Sequence, residues 1–252
     1  MTTIELTLSA PVNLRDLGGI PIEGGVLREG MAIRTDDLAY VTAEVAEGLV
    51  AGGLTAIIDL RSPLEVATTG RGPLAGYPVS YHHLPLIADI GGATPRSAAD
   101  FSHEGMGRMY LGMIEGAAPQ LVTALNVIAH TLGATAFHCA AGRDRTGVLA
   151  ALLLLTLGAS DEDIIADYAR TGENMAAIME RNRPVMGAMW KALGFDFDQP
   201  DTSGLLEGSM EVSMRIVLET LRSEHGDPLA SLRAAGLGED TIARLREKAL
   251  AA

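Results

Sequence analysis

The amino-acid sequence predicts an α/β fold, on two junctions where an apolar strand-like run meets a helix-like one. At the first, Leu38 to Ala51 reads as a helix closed by Gly52-Gly53, and Thr55 to Leu60 after it reads as a buried strand. At the second, Thr135-Ala136-Phe137-His138 reads as a buried strand end, and Val148 to Leu155 is long enough to continue as a mostly buried helix. Asp59 and Cys139 then fall at the carboxyl ends of strands, where open α/β sheets place their ligands.

The remaining elements follow from local patterns. Ile4 to Leu8 alternates as a short strand, and Ile20 to Ile33 reads as a hairpin turning at Glu23-Gly24-Gly25. Ser80 to Leu86 is a further strand carrying His82-His83, whose side chains point to opposite faces and so suit no common metal ion. Gly91 to Asp100 reads as a flexible connector. His103 to Glu115 is an amphipathic helix with Met106, Met109, Tyr110, Met113 and Ile114 on its apolar stripe; such a stripe is more often core than lid, and a helical lid or specificity region over 91–116 is the minor alternative. Leu121 to Leu132 is the helix leading to the second junction. Ser160 is an N-cap with acidic residues after it, for a helix through Arg170. Asn174 to Trp190 is helical with a break near Pro184, and Gly204 to Leu221 and Thr241 to Leu250 complete a helical portion over 160–252.

Composition narrows the class. A chain of 252 residues that is 48% hydrophobic can bury one large core, so 1–252 is expected to be a single domain. Aromatic residues are only 4%, so that core must rest on aliphatic side chains and methionine. A net charge of −13 disfavours nucleic acid and anionic membrane surfaces as partners. Val148 to Leu157 is far too short for the roughly 20 residues that span a bilayer, so no integral membrane segment is expected. Met1 to Ala10 lacks the pattern of a signal peptide, and a lone cysteine fits a reducing compartment, so a cytoplasmic location is the expectation, with the oligomeric state open and a monomer favoured. Export without a signal peptide stays open. No resolving thiol accompanies Cys139, so peroxide is expected to inactivate whatever the thiol does.

The chemistry concentrates in His138-Cys139-Ala140-Ala141-Gly142-Arg143-Asp144-Arg145-Thr146-Gly147. A cysteine between a strand and a helix meets the free N–H groups and the positive dipole end of that helix, which hold an anion and acidify a thiol together. Such cysteines fall from about 8.5 to roughly 3.5–7.5. Arg145, six residues on, offers a planar fork to two phosphoryl oxygens. Gly142 lets the backbone curl with its amides inward, and Thr146 either caps the helix or hydrogen-bonds the sulfur. The loop 138–147 therefore reads as a phosphate cradle formed by Ala140, Ala141, Gly142, Arg143, Arg145 and Thr146 around Cys139. The Walker phosphate-binding pattern is absent from it.

These residues resemble the cysteine-dependent phosphatases, whose signature is His-Cys, five residues, then Arg. More narrowly they resemble the bacterial tyrosine and dual-specificity protein phosphatases related to the secreted mycobacterial tyrosine/phosphoinositide phosphatase. Asn13 to Gly19, Arg34-Thr35-Asp36-Asp37-Leu38 and Ile58 to Glu65 carry the resemblance beyond the loop. It implies a protein-tyrosine-phosphatase-like α/β fold, a central mostly parallel sheet flanked by helices with additional C-terminal helices. It further implies a phosphocysteine intermediate on Cys139, a transition-state clamp at Arg145, and a phosphorylated protein or phosphoinositide as substrate, with no cofactor and no metal. The family places an aspartate within the loop, matched by Asp144, and another at a neighbouring strand end, matched by Asp59. Asp144 is favoured as general acid, with Asp59 as its rival or as a residue orienting Arg145; the plainer roles are a helix cap and support of a strand end. Relatives usually carry lysine where this chain has Arg143, which weakens an inherited preference for phosphoinositides; Arg143 is alternatively a surface residue. Arg15 and Arg61 join Arg143 and Arg145 as candidates for a local positive patch.

Two readings of other classes stand beside this one. A rhodanese-like sulfurtransferase also keeps a cysteine in an anion-binding loop, although the arginine spacing favours phosphate. An inactive phosphate-binding module would capture ligands without turnover.

Overall fold

The computed structural model describes residues 7–87, 102–192 and 209–251. Its strands are β1 (Arg15–Asp16), β2 (Pro21–Ile22), β3 (Gly25–Val26), β4 (Ala32–Thr35), β5 (Leu54–Asp59), β6 (Ser80–His83) and β7 (Ala134–His138). β2 and β3 pair as a small antiparallel ribbon, and the others form one sheet in the order β1-β4-β7-β5-β6. Only β1 runs antiparallel within it. The register aligns Thr35 with His138, His138 with Asp59, and Asp59 with His83, so four strands end in one row.

Side chains alternate across this sheet. Ile58 and Phe137 face the larger core, while Ile57 and Ala136 face a smaller one. The smaller core is closed by Leu38, Val41, Leu74, Val79 and Ala46 of helix α1 (Ala43–Ala51). Helix α2 (Pro63–Thr69) follows β5 directly. The larger core takes in α3 (His103–Gly116), α4 (Ala118–His130) and α5 (Asp144–Leu157). Every residue of α5 from Thr146 to Leu157 is buried, which is why its leucines show no amphipathic stripe.

The chain continues through α6 (Asp161–Ala169), α7 (Met175–Ala192), α8 (Glu211–His225), α9 (Ala230–Ala234) and α10 (Glu239–Leu250). α8 lies against α3 and α6, and α10 against α4 and α5. Lys248 donates to the carbonyls of Ile128 at 2.7 Å and Thr131 at 2.6 Å, closing the C-terminal end of α4 with a positive charge. The fold is thus mixed α/β, with a mostly parallel central sheet, flanking helices and further helices at the C-terminal end. Among the described residues no single helix is long and apolar enough to cross a membrane.

Several boundaries differ from the sequence expectation for identifiable reasons. The hairpin over 20–33 is confined to β2 and β3, because Ala32 to Thr35 leave it to pair with β7. α1 starts at Ala43 rather than Leu38, since the Thr42 side chain accepts from the Val45 N–H and the Asp37 carboxylate bonds the Ala39 N–H in a local turn. α7 runs unbroken through Pro184. Arg181 and Asn182 are tied to distant segments just before the proline, and Val185 packs on Ala39 and Tyr40 just after it; these anchors outweigh the local cost. The methionine-bearing face of α3 lies in the core, with Met106, Met113 and Ile114 buried. The strand expected over Ile4–Leu8, the connector over 91–100 and the start of the Gly204 helix fall largely outside the described residues.

Leu153, at 0% exposure on α5, sits where the helices of the larger core meet. Leu153→Ala is expected to lower the unfolding free energy by about 2–5 kcal/mol in denaturant titration, through lost burial and the cavity left behind.

Candidate active site

Cys139 follows the last residue of β7, and residues 140–143 bend into α5. The path of this turn is set by what holds its carbonyl groups. Asp37 N–H and the Asn182 amide donate to the Ala140 carbonyl at 3.1 and 3.2 Å. The Asn13 amide reaches both Ala141, at 3.2 Å, and Gly142, at 3.1 Å. Arg34 donates to Gly142 at 2.9 Å. With its carbonyls engaged on the outside, the loop leaves its amides to the inside: among the described residues no acceptor pairs with the N–H groups of 140–145. Such a set of free donors at a helix start is a site for an anion.

Gly142 is indispensable to this path. Its φ is +67°, and a Cβ there would lie 2.6 Å from the Thr35 carbonyl oxygen and 2.7 Å from the Asp36 nitrogen. The loop therefore presses against the end of β4, closer than any side chain permits. Ala140 and Ala141 are half-buried at the rim, and Cys139 is 1% exposed.

Arg145 does not wait alone. Glu65 meets it with both carboxylate oxygens, at 2.5 and 2.9 Å. Glu65 itself belongs to a capping box, where Ser62 N–H donates to its Oε2 and the Ser62 hydroxyl accepts from its N–H. Burial alone would raise the Glu65 pKa, but the Arg145 guanidinium drives it below the usual carboxylate range. Burial works against the charge of Arg145 too, and is overcome by Glu65 and then by Cys139. A capping residue at the start of α2 thus fixes the plane of the arginine fork.

Asp59 is placed differently from the role of orienting Arg145. It grips Arg61, with its Oδ1 2.9 Å from Nε and its Oδ2 2.5 Å from NH2, and accepts a 2.7 Å hydrogen bond from Tyr81. Although burial pushes its pKa up, His138 and Arg61 hold the carboxyl far below its ordinary value. Arg61 also meets Asp37 at 2.9 Å, where burial raises the Asp37 carboxyl. The expected positive patch is accordingly smaller than the sequence suggests. Arg61 is spent on Asp59 and Asp37, and Arg15 on Asp167 at 2.8 Å. Both guanidiniums are buried, not presented to solvent.

Arg143 is no surface residue either, being 2% exposed. Its Nε lies 3.5 Å from the Tyr168 hydroxyl and 3.6 Å from Asp144 Oδ1, and one terminal nitrogen has no hydrogen-bond partner among the described residues. Asp144, at the first position of α5, is 28% exposed and accepts a hydrogen bond from Tyr110 of α3. Thr146 does not cap the helix: it lies inside the first turn, buried, with its hydroxyl unpaired among the described residues. His83 bonds the Arg61 carbonyl at 2.8 Å, a structural contact at the rim of the strand row.

Asn13, Arg34, Glu65, Tyr110, Asp167, Tyr168 and Asn182 support the site without having been assigned such roles from sequence. Only Glu65 left a readable local mark, the Ser62-x-x-Glu65 capping pattern, and that pattern speaks of a helix start, not of an arginine. A solvent-open groove of about 340 Å³ lined by His130, Thr241, Arg244 and Glu247 shares no residue with the loop.

The comparisons with known proteins agree with this geometry. A protein of Cupriavidus necator whose name assigns it, by inference, to the tyrosine-protein phosphatases is 32% identical over 182 residues, 68% of this chain and 64% of that protein. The chain thus spans a little under two thirds of that relative's length. A tyrosine-protein phosphatase of Nostoc commune is 27% identical over 85% of this chain and 72% of its own. The triple specificity protein phosphatase PtpB of Mycobacterium tuberculosis is 26% identical over 87% and 91% respectively. Residues 6–251 match the sequence profile described as the tyrosine phosphatase family. With a match over nearly its whole length and a cysteine loop of this form, the chain belongs to the tyrosine phosphatase family.

Proposed function

We propose that this protein hydrolyses phosphomonoesters through a phosphocysteine intermediate, with phosphotyrosine as its main substrate and phosphoinositides as lesser ones. The observation that carries the reading is the run of N–H groups over residues 140–145 that have no acceptor among the described residues, directly after Cys139, with Arg145 in the same loop clamped by Glu65. In the first step the Cys139 thiolate attacks phosphorus, the Sγ–P bond forms and the ester P–O bond breaks. Asp144 passes a proton to the departing oxygen. Water then attacks phosphorus and gives a proton to Asp144, while the Sγ–P bond breaks and its electron pair returns to sulfur. Inorganic phosphate leaves. The amides and the Arg145 fork stabilise the charge on the equatorial oxygens in both transition states.

Asp144 suits the acid better than Asp59. Its carboxyl is partly exposed and not committed to a cation at hydrogen-bond distance, whereas Asp59 is fully buried and held ionised on Arg61. The preference among substrates rests on Arg143. Buried against Tyr168, it leaves Arg145 as the cation nearest the cysteine, which suits one phosphoryl group on a neutral ring better than a head group bearing several. The triple specificity named for the Mycobacterium relative supports a substrate range that extends past phosphotyrosine.

Four measurements test this. Cys139→Ser is expected to abolish phosphate release from a phosphotyrosine peptide, and release that survives it would overturn the reading. Asp144→Asn is expected to lower kcat by roughly 10²–10⁴-fold on substrates with a basic leaving group. Asp59→Asn should instead act on stability, at a cost of about 3–5 kcal/mol, because the buried Arg61 loses one of its two carboxylate partners. Glu65 has a depressed pKa in the fold, so its contribution is fully present above the unfolded value of about 4.3 and is lost as pH falls through the lower, folded one. The Tm of the wild type should therefore drop more steeply below about pH 4 than that of Glu65→Gln, as read by calorimetry.

A further inference from the structure

Two side chains reach one oxygen of Asp144, and a third is held by both of them. Tyr110 of α3 hydrogen-bonds Oδ1, and the Nε of Arg143 lies 3.6 Å from the same atom. The Tyr168 hydroxyl of α6 is 2.7 Å from that of Tyr110 and 3.5 Å from Arg143 Nε. The two rings meet edge to face, with centroids 6.1 Å apart and planes at 75°. Gly147 makes room for this, since a Cβ there would lie 2.9 Å from the Tyr168 ring. Both tyrosines are buried, at 0% and 1% exposure.

Hydrogen-bond chemistry gives the chain a single direction. Tyr110 has one proton and gives it to Asp144 Oδ1, so between the two tyrosines the Tyr168 hydroxyl is the donor. A guanidinium only donates, so the Tyr168 oxygen accepts from Arg143. Burial, and next the Asp144 carboxylate beside it, raise the Tyr110 pKa well above its ordinary value, so the hydroxyl keeps that proton. Oδ1 is thereby committed as an acceptor. Oδ2 has no hydrogen-bond partner among the described residues and belongs to a side chain that solvent reaches.

We propose that Tyr110 is a positioning residue for the general acid: oriented by Tyr168 and Arg143, its hydroxyl holds Asp144 Oδ1 and reserves Oδ2 for the proton given to the leaving group. The inference deepens the proposed phosphatase chemistry and rests on it. Tyr110 touches no reacting atom, and it transfers no proton. Its effect is confined to how well Asp144 serves an oxygen that needs protonation.

Leaving-group dependence reads this directly. With the full-length chain, Tyr110→Phe is expected to lower kcat on phenyl phosphate about tenfold or more, and on p-nitrophenyl phosphate, whose leaving group needs little protonation, less than about threefold. KM should hold on both. Adding Tyr110→Phe to Asp144→Asn should cause no further loss, since the acid is already gone. Equal losses on the two esters, or losses that multiply in the double variant, would overturn the proposal. Tyr168→Phe leaves the Tyr110 hydroxyl in place but removes the donor that orients it, and is expected to give the same selective pattern at smaller size. An unselective loss there counts against the proposal even if Tyr110→Phe fails to fold. Cys139→Ser run in parallel separates the two levels: turnover that survives it overturns both readings, whereas cysteine-dependent turnover with a flat leaving-group response overturns only this one.

Discussion

The shape of the loop after Cys139 is imposed through its carbonyl groups. A short bend between a strand and a helix has no regular partner for its backbone, and either face could turn toward solvent. Here Asn13, Arg34, Asn182 and the Asp37 N–H take the carbonyls of residues 140–142 from outside. The amides are left on the concave side. The donors come from segments more than a hundred positions away for Asn13 and Arg34, so the cradle exists only once β4, β7 and the segment before β1 are assembled. The cradle is a tertiary property of this protein, while the motif that announces it is local.

That arrangement requires buried charge, and each charge lies against its opposite. Arg34 is fully buried, yet its guanidinium bridges Asp167 at 2.5 Å and the Gly142 carbonyl. Arg15 reaches the other Asp167 oxygen, Asn13 and Thr171. The two arginines hold the Asp167 carboxyl low against its burial. Burying ions costs several kcal/mol each, and the attraction between them returns that only when the hydrogen bonds are nearly complete. A hydrophobic replacement would not do the same task. No apolar side chain can hold a carbonyl outward, so what this network supplies is the path of the loop.

The legible and illegible parts of the sequence divide along this line. Cys139, Gly142 and Arg145 were readable because a thiol, a residue free to take positive φ and a fork six positions on are all defined within one loop. Ser160 as N-cap and Gly52 as the end of α1 were readable for the same reason. Arg15 and Arg61 were not. From sequence they are two more cations near a phosphate site, and only the fold shows each neutralised by a carboxylate that the chain supplies elsewhere. Pro184 is the mirror case. Its local signal breaks a helix, and contacts from Arg181, Asn182 and Val185 keep the helix whole. Glu65 lay in plain view within a capping pattern, but its partner is 80 positions away.

Arg143 and Arg145 sit two residues apart and end in opposite roles, which follows from where the helix begins. At the first turn of α5 successive side chains diverge by about 100°, so two cations flanking Asp144 cannot both face the sulfur. Arg145 faces it and is braced by Glu65, a partner that keeps its charge and fixes its plane. Arg143 turns into the protein toward Tyr168, where it can only donate. In the proposed mechanism Arg145 meets the phosphoryl group, while Arg143 donates to the hydroxyl that orients Tyr110 on the aspartate between them. A loop with alternating charge Arg-Asp-Arg thus sends one arginine to Glu65 and the other to Tyr168, and leaves the aspartate between them partly open to solvent.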